Sequence, residues 1–385
     1  MNSAVVVDCC RTPIGRSHPE KGVYRDVRSD DLAVAVVHSL IERTGIDPAE
    51  VEDVVLGNTQ QQREQGFNVA RMISLMAGLP AETGGATINR LCGSSLQALN
   101  QASHSIVAGG EDVQIVGGLE HMGHVAMGAS LDLNPKLFTV TSKGALHMGF
   151  TAEFLAQNHG ISREDQDKFA LDSHLKAAES TKAGLFKNEI IPITGRDEEG
   201  MNCQITSDQC IRPDSTPESL AALKPAFMPG VGTVTAGNSS PLNDGAAALL
   251  IMSEEKAKSL GLKPMVRIKA TAVAGVDPAV MGAGPVPATK KALKRAGLKI
   301  GDIDVVELNE AFAAQSLACI KMLKLDESKV NIRGGSIAIG HPLGASGARI
   351  STTLIHAMLA SDATLGLATM CIGVGQGIAT IFERC

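Results

Sequence analysis

The sequence predicts an α/β protein built from two related halves with a long insertion between them, and three observations carry that prediction. Short aliphatic runs alternate with segments of helical period along most of the chain. The order strand, helix, strand, helix, strand, small-residue helix, strand occurs twice, once before about residue 118 and again after about residue 265. Finally, Gly45-Ile46-Asp47-Pro48-Ala49-Glu50-Val51-Glu52-Asp53-Val54-Val55 has a counterpart in Gly297-Leu298-Lys299-Ile300-Gly301-Asp302-Ile303-Asp304-Val305-Val306. Duplication explains the pair economically, although common βαβ grammar produces similar spacing.

In chain order, Ala4-Val5-Val6-Val7 reads as a buried strand that ends in Asp8 and the turn-rich Arg11-Thr12-Pro13-Ile14-Gly15. Ser29 or Asp30 is positioned to cap a helix with Leu32, Val36, Leu40 and Ile41 on its apolar face and Gly45 at its end. Val54-Val55-Leu56 follows as a strand, Ala70 to Ala77 as a helix stopped by Gly78, and Ala86-Thr87-Ile88 as the approach to Cys92. Leu96, Leu99, Ile106 and Val107 then recur at helical spacing until Gly109 and Gly110. Val113 to Val116 is a strand expected to stop at Gly117-Gly118.

From Leu119 to about Asn243 the chain turns irregular and rich in Met, His and Gly, with helices expected at Thr151 to Asn158 and Ser162 to Ala183. Ser162 and Asp165 resemble a capping box. An insertion of this length suits a lid or binding element, or a decorative subdomain. Gly245 to Met252 is a buried strand, and Ser253 to Leu260 a short helix. In the last block Pro287 to Ala296 is a helix, Val305-Val306 a strand, and Ala311 to Leu323 a helix. Asn331-Ile332 leads into a glycine-rich turn, a small-residue helix runs from Gly344 to Ala360, and strands follow at Leu365 to Met370 and Ile378 to Phe382. The expected domains are therefore 1–118, completed by 244–264, an insertion 119–243, and 265–385.

Composition narrows the function classes. The 385 residues are 44% hydrophobic and 20% charged, which suits a globular chain with a large core. Aromatics make up only 3% and the net charge is -6, which argues against a nucleic-acid surface or an anionic-membrane binder. Any anionic ligand therefore needs a local basic patch. Eight cysteines lie scattered, without the CxxC spacing of a zinc site or the density of a disulfide scaffold, so free thiols in a reducing compartment are expected. Strand-like residues begin at Ala4 and the apolar runs are short, so a cytoplasmic protein without leader or membrane segment is expected.

Cys92 stands at a predicted helix N-terminus, where unpaired N–H groups and the helix dipole favour a thiolate. Taken alone it also fits plain buried packing. The duplicated plan places complementary groups on the equivalent turns of the second half: His341 in Gly340-His341-Pro342, Cys371 before Gly373-Val374-Gly375, and Asn309 before a helix. Each alone has a bland reading, as a loop histidine, a core thiol or a helix cap. Gly373-Val374-Gly375-Gln376-Gly377 is not a dinucleotide fingerprint, because a strand rather than a helix follows it. In conjunction they supply what nucleophilic acyl transfer requires, namely a thiol, a base, a second acid/base and oxyanion donors.

These motifs, Asn89-Arg90-Leu91-Cys92-Gly93-Ser94-Ser95, Asn309-Glu310-Ala311-Phe312, Gly340-His341-Pro342-Leu343-Gly344 and Cys371-Ile372-Gly373-Val374-Gly375-Gln376-Gly377, closely resemble those of the thiolase family, and the likeness runs over essentially the whole chain. It is nearest to the degradative 3-ketoacyl-CoA thiolases that form the β subunit of the bacterial fatty-acid oxidation complex, through Gly118-Leu119-Glu120-His121-Met122-Gly123-His124-Val125 and the final Gly377 to Arg384. The resemblance implies a five-layer αβαβα fold, with the two small-residue helices at its centre. It implies that Cys92 attacks the 3-keto carbon, that His341 takes its proton and helps stabilise the thioester oxyanion with Asn309 holding a water beside it, and that Cys371 protonates the acetyl-CoA enolate and then activates CoA. Backbone N–H groups of Cys92 and Gly373 would form an oxyanion hole. Ser240, His147 and Met148 match positions lining the pantetheine channel, and Lys224 stands where relatives often carry arginine, a phosphate contact without bidentate geometry. CoA and acyl-CoA would be substrates, with no permanently bound cofactor and no metal. A homodimer is implied, and a heterotetramer of two α and two β subunits with the hydratase and dehydrogenase α subunit. The alternatives are a biosynthetic acetoacetyl-CoA thiolase, a β-ketoacyl synthase-like condensing enzyme, and a non-catalytic acyl-CoA or lipid carrier.

Overall fold

The computed structural model describes residues 3–128 and 131–385; Met1, Asn2, Ala129 and Ser130 lie outside the described residues, the last two within the expected insertion. The first half comprises β1 (Ala4–Arg11), β2 (Gly15–Arg16), α1 (Ser29–Thr44), β3 (Asp53–Gly57), α2 (Val69–Met76), β4 (Ala86–Ile88), α3 (Ser94–Ala108) and β5 (Val113–His121). Between the halves lie α4 (Met148–His159), α5 (Arg163–Lys182), the hairpin β6 (Ile193–Arg196) and β7 (Asn202–Ile205), and α6 (Pro217–Ala221). Then come β8 (Asn243–Ser253), α7 (Glu254–Ser259), β9 (Val266–Gly275), α8 (Pro285–Ala296), β10 (Val305–Leu308), α9 (Ala313–Leu323), α10 (Ser346–Ala360), β11 (Leu365–Ile372) and β12 (Gln376–Arg384).

Strand pairing repeats between the halves. In the first, β1 pairs β8 and β8 pairs β5 antiparallel, then β5 pairs β3 and β3 pairs β4 in parallel. In the second, β9 pairs β12 and β12 pairs β11 antiparallel, β11 pairs β10 in parallel, and Val306 bridges Val330 in parallel. Order and direction are the same, with the counterpart of β4 reduced to one bridge. The half-sheets join where Val5 faces Arg267 and Val6 faces Val266 across β1 and β9.

Side-chain alternation along the strands then sorts the core into layers. Val5, Val54 and Leu250 pack outward under Leu32, Val36 and Leu40 of α1 and Ile73 of α2. Val6, Ile251, Met370 and Ile378 face inward onto Leu96 and Leu99 of α3 and Ile350 and Leu354 of α10. On the far side Leu308, Leu367 and Ile381 meet Ala292 of α8 and Leu323 of α9. The result is five layers, helix, sheet, helix, sheet, helix, with α3 and α10 at the centre. Those two helices need small residues because they touch: a Cβ on Gly347 would lie 2.3 Å from the Leu96 nitrogen. The Ala348 N–H donates to Ser95 Oγ at 2.9 Å and ties their first turns together. No helix among the described residues is long and apolar enough to cross a membrane.

Several element ends differ from the sequence reading, each for a local reason. Strand β5 does not stop at Gly117-Gly118 but continues to His121. A Cβ on Gly118 would fall 2.3 Å from the Gly344 carbonyl oxygen, so this glycine serves close approach rather than a turn. Neither Ser29 nor Asp30 caps α1; Arg28 holds the N-cap position, and Glu64 Oε1 accepts from the Ser29 N–H at 2.8 Å. Asn309 is no helix cap, since α9 starts only at Ala313. The capping box of Ser162 and Asp165 is present as expected.

Candidate active site

Three loops at the ends of β4, β10 and β11 and the segment leading into α10 carry the expected groups. Cys92 lies buried in the turn between β4 and α3, two residues ahead of the first helical residue. Asn89 Oδ1 accepts from the Leu91 N–H at 2.8 Å, Ser94 Oγ accepts from the Arg90 N–H at 2.9 Å, and Leu91 adopts a left-handed φ of 46°. A non-glycine residue held at positive φ stores strain, and here it presents the next side chain, Cys92. The sulfur faces N–H groups of Gly373 and of Cys92 itself, which pull its pKa down, but burial outweighs them and pushes the thiol up to about 11. The expected helix-terminal thiolate is therefore corrected: Cys92 rests as a thiol.

Cys371, the second-last residue of β11, lies directly across from Gly377 on β12, in a buried cluster with Phe312, Ala311 and Met281. Burial raises its pKa well above the ordinary thiol value, and a thiolate at Cys92 would raise it further. The two thiols thus share one electrostatic neighbourhood, and both are protonated at rest. Gly373 begins the tight turn after Cys371, in which Val374 has a φ of 62° and Gly375 of 80°.

His341 is the group most completely fixed. Its backbone N–H donates to Asn243 Oδ1 at 2.8 Å, its Nδ1 lies 2.6 Å from Ser346 Oγ, and its Nε2 lies 3.4 Å from Asn309 Nδ2. Burial, aided by the positive charge of Arg349, lowers its pKa to about 3, so it is a neutral imidazole. Asn309 touches the ring directly. Among the described residues no hydrogen bond joins His341 to Cys92, although Leu343 and Cys92 belong to one apolar cluster.

The remaining expected residues differ in burial. Met148 packs against the cluster containing Cys371, and the Ser240 N–H donates to the Ala311 carbonyl at 3.0 Å beside the same cluster. His147, at the N-cap of α4, is exposed and meets Phe150 edge-on at 5.7 Å. Lys224 is exposed.

Sequence reasoning missed the buried polar groups behind these loops. Glu120 accepts from the Thr59 N–H at 3.0 Å and the Gly344 N–H at 2.9 Å, and so couples the Cys92 side to the His341 side. Thr59 Oγ1 in turn donates to the Leu91 carbonyl at 3.2 Å. Glu310 accepts from Asn331 Nδ2 at 2.7 Å, Ser173 Oγ at 2.7 Å and the Ile337 N–H at 3.1 Å, bracing the glycine-rich turn against α5. Ser346 and Ser336 sit near His341 in sequence; the available signal was hydroxyls inside an otherwise apolar buried run. Glu120 and Glu310 already lay inside the motifs but carried no assigned part.

The family described as "Thiolase, N-terminal domain" matches residues 4–255, and that described as "Thiolase, C-terminal domain" matches residues 262–384. Among similar curated proteins, the 3-ketoacyl-CoA thiolase of Aeromonas salmonicida (strain A449) is 55% identical over 388 residues, covering 100% of both chains. That of Idiomarina loihiensis is 56% identical over 388 residues, again covering 100% of both. The 3-ketoacyl-CoA thiolase of Vibrio parahaemolyticus is 56% identical over 386 residues, covering 99% of this chain and 98% of its own.

Proposed function

The chain belongs to the thiolase family, and from that premise we infer that it is an acyltransferase that cleaves a 3-ketoacyl-CoA with CoA to acetyl-CoA and a shortened acyl-CoA. The observation that carries the chemical reading is the pair of buried thiols, Cys92 and Cys371, from opposite halves, with the Gly373 N–H aimed at the Cys92 sulfur. Cys92 Sγ attacks the 3-keto carbon as its proton passes to His341 Nε2. Breaking the C2–C3 bond leaves an acyl thioester on Cys92 and the enolate of acetyl-CoA. Cys371, kept protonated by burial, gives its proton to that enolate, and its thiolate then takes the proton of the incoming CoA thiol. The CoA thiolate attacks the acyl-enzyme, and Cys92 leaves and recovers its proton from His341. His341 also helps stabilise the thioester oxyanion, with Asn309 holding a water beside it. The N–H groups of Cys92 and Gly373 form a second oxyanion hole, and each such donor contributes about 3 kcal/mol in the transition state.

The resting groups fit this order. A neutral His341 can accept a proton, and a protonated Cys371 can donate one. With Cys92 held as a thiol and His341 held neutral, proton transfer couples to carbonyl attack rather than preceding it. With His341 lowered to about 3 and Cys92 raised to about 11, neither titrates near neutrality. Single-turnover acylation of Cys92 by acetyl-CoA should therefore be flat from about pH 5 to about pH 9. An inflection between about 6 and 7, where an ordinary histidine titrates, would overturn this description.

His147 and Lys224 are exposed, and half-buried Ser240 and Met148 lie beside the Cys371 cluster. We take them as marking the path of CoA, with Lys224 meeting a phosphate as a point charge. The reading further divides the chain into halves 1–118 with 244–264 and 265–385 around the insertion 119–243. It places the enzyme in the cytoplasm, in fatty-acid β-oxidation, as a homodimer that joins a hydratase and dehydrogenase α subunit in a tetramer of two α and two β chains. Incubation of the purified protein, alone and with such an α subunit, with 3-ketoacyl-CoAs of graded length and CoA tests the activity. Absence of acetyl-CoA under both conditions sinks it, and size measurement after co-expression tests the assembly.

A further inference from the structure

We propose that Arg349, acting through Ser336, is a positioning residue that fixes which way the Asn309 amide points and thereby which nitrogen of His341 carries the proton. The inference rests on the reading of His341 as the base for Cys92. The chain of contacts is fully buried: Arg349 Nη2 donates to Ser336 Oγ, Ser336 Oγ donates to Asn309 Oδ1 at 2.6 Å, and Asn309 Nδ2 faces His341 Nε2 at 3.4 Å.

Direction along this chain follows from what each group can do. A guanidinium has donors only. By occupying a Ser336 lone pair it turns the single hydroxyl hydrogen toward Asn309, which must meet it with its carbonyl oxygen. The Asn309 NH2 is then left for His341, so Nε2 must be the unprotonated nitrogen and Nδ1–H donates to Ser346 Oγ at 2.6 Å. That lone pair is also the one that accepts the proton of Cys92, so the 3.4 Å contact with Asn309, long for a hydrogen bond, opens as the proton arrives. If Asn309 were flipped, its NH2 would meet Ser336 beside a second donor, the hydroxyl hydrogen would be stranded in a dry interior, and Nε2 would carry the proton.

The setting of Arg349 supports this part. It is fully buried, its Nε and Nη1 have no hydrogen-bond partner among the described residues, and Glu307 Oε2 lies 3.6 Å from Nη1. A buried arginine serving only the fold satisfies more of its donors than this. Its hydrogen bond to Ser336 Oγ is aimed at the Asn309 and His341 pair.

The test uses the full-length enzyme. Ser336→Ala removes the directing hydroxyl, and kcat is expected to fall about 10- to 100-fold with KM for the 3-ketoacyl-CoA changed less than about 2-fold. Nitrogen-15 NMR of histidine-labelled protein, with the His341 signals identified by their loss in His341→Asn, reads the tautomer without activity. The parent should show a protonated Nδ1, and Ser336→Ala a mixture. Arg349→Lys keeps a donor-only partner, whereas Arg349→Gln can turn its carbonyl to Ser336 and draw the hydroxyl hydrogen away. The lysine variant is expected to retain at least about 10-fold more kcat than the glutamine variant, which keeps the question answerable if Ser336→Ala fails to fold. A parent-like tautomer in Ser336→Ala, or equal kcat in the two Arg349 variants, overturns the proposal. Acylation of Cys92 at the parent rate in His341→Asn overturns the base reading instead, and leaves the tautomer measurement to decide this one.

Discussion

Cys92→Ala is expected to abolish acyl-enzyme formation and to lower CoA-dependent cleavage by on the order of 10⁴-fold or more, about 5 kcal/mol of barrier. The reason is that no other group in the site can replace the sulfur. Cys371 sits on the other side of the reacting carbon in the proposed order, and burial holds it firmly protonated. The Gly373 and Cys92 N–H groups converge on the Cys92 sulfur. Loss of the fold is a weak competing explanation. The side chain is small, and its removal from the central cluster is expected to lower stability by only about 1 kcal/mol, visible as a modest fall in Tm. Mass spectrometry after incubation with acetyl-CoA checks the outcome. A thioester on any other residue of the folded variant would move the nucleophile away from Cys92.

The fold and the site were legible in the sequence to different depths. Repeated element order and the Gly45 to Val55 counterpart pointed to duplication, and strand pairing in the two halves has the same order and direction. Glycines misled where packing rather than turning required them, as at Gly118, because a sequence carries no mark of what approaches a residue from another strand. The motifs located the Cys92, His341, Cys371 and Asn309 loops, yet the charge state expected for Cys92 had the wrong sign. A helix N-terminus contributes about 0.3–1 kcal/mol to a nearby charge, less than one pKa unit, whereas full burial shifts a group by up to 3–5 units. Burial is a property of the assembled layers, so it wins, and it could not be read from the turn. Glu120 was hidden for the same reason: its partners Thr59 and Gly344 lie far apart in sequence and meet only when the halves close.

Cys371→Ala should separate the two halves of the reaction, and this makes it the sharper experiment. Acylation of Cys92 by a simple acyl-CoA requires the nucleophile, His341 and the N–H donors, all of which the variant keeps. Carbon-carbon cleavage also requires a proton for the departing enolate, and with Cys371 gone that proton has no donor positioned for it. Cleavage of the 3-ketoacyl-CoA is therefore expected to drop by about 10²- to 10⁴-fold, the range of a lost general acid, while the acyl-enzyme still forms. Burial strengthens the expectation, because the elevated pKa that keeps Cys371 protonated at rest also marks a site from which solvent protons are excluded. The alanine leaves a small void beside Phe312 and Met281. An ordinary packing loss there would weaken acylation and cleavage together, so the split between them is the diagnostic quantity. Cleavage at the parent rate would mean that Cys371 carries no proton in this reaction and that its place beside Cys92 is packing alone.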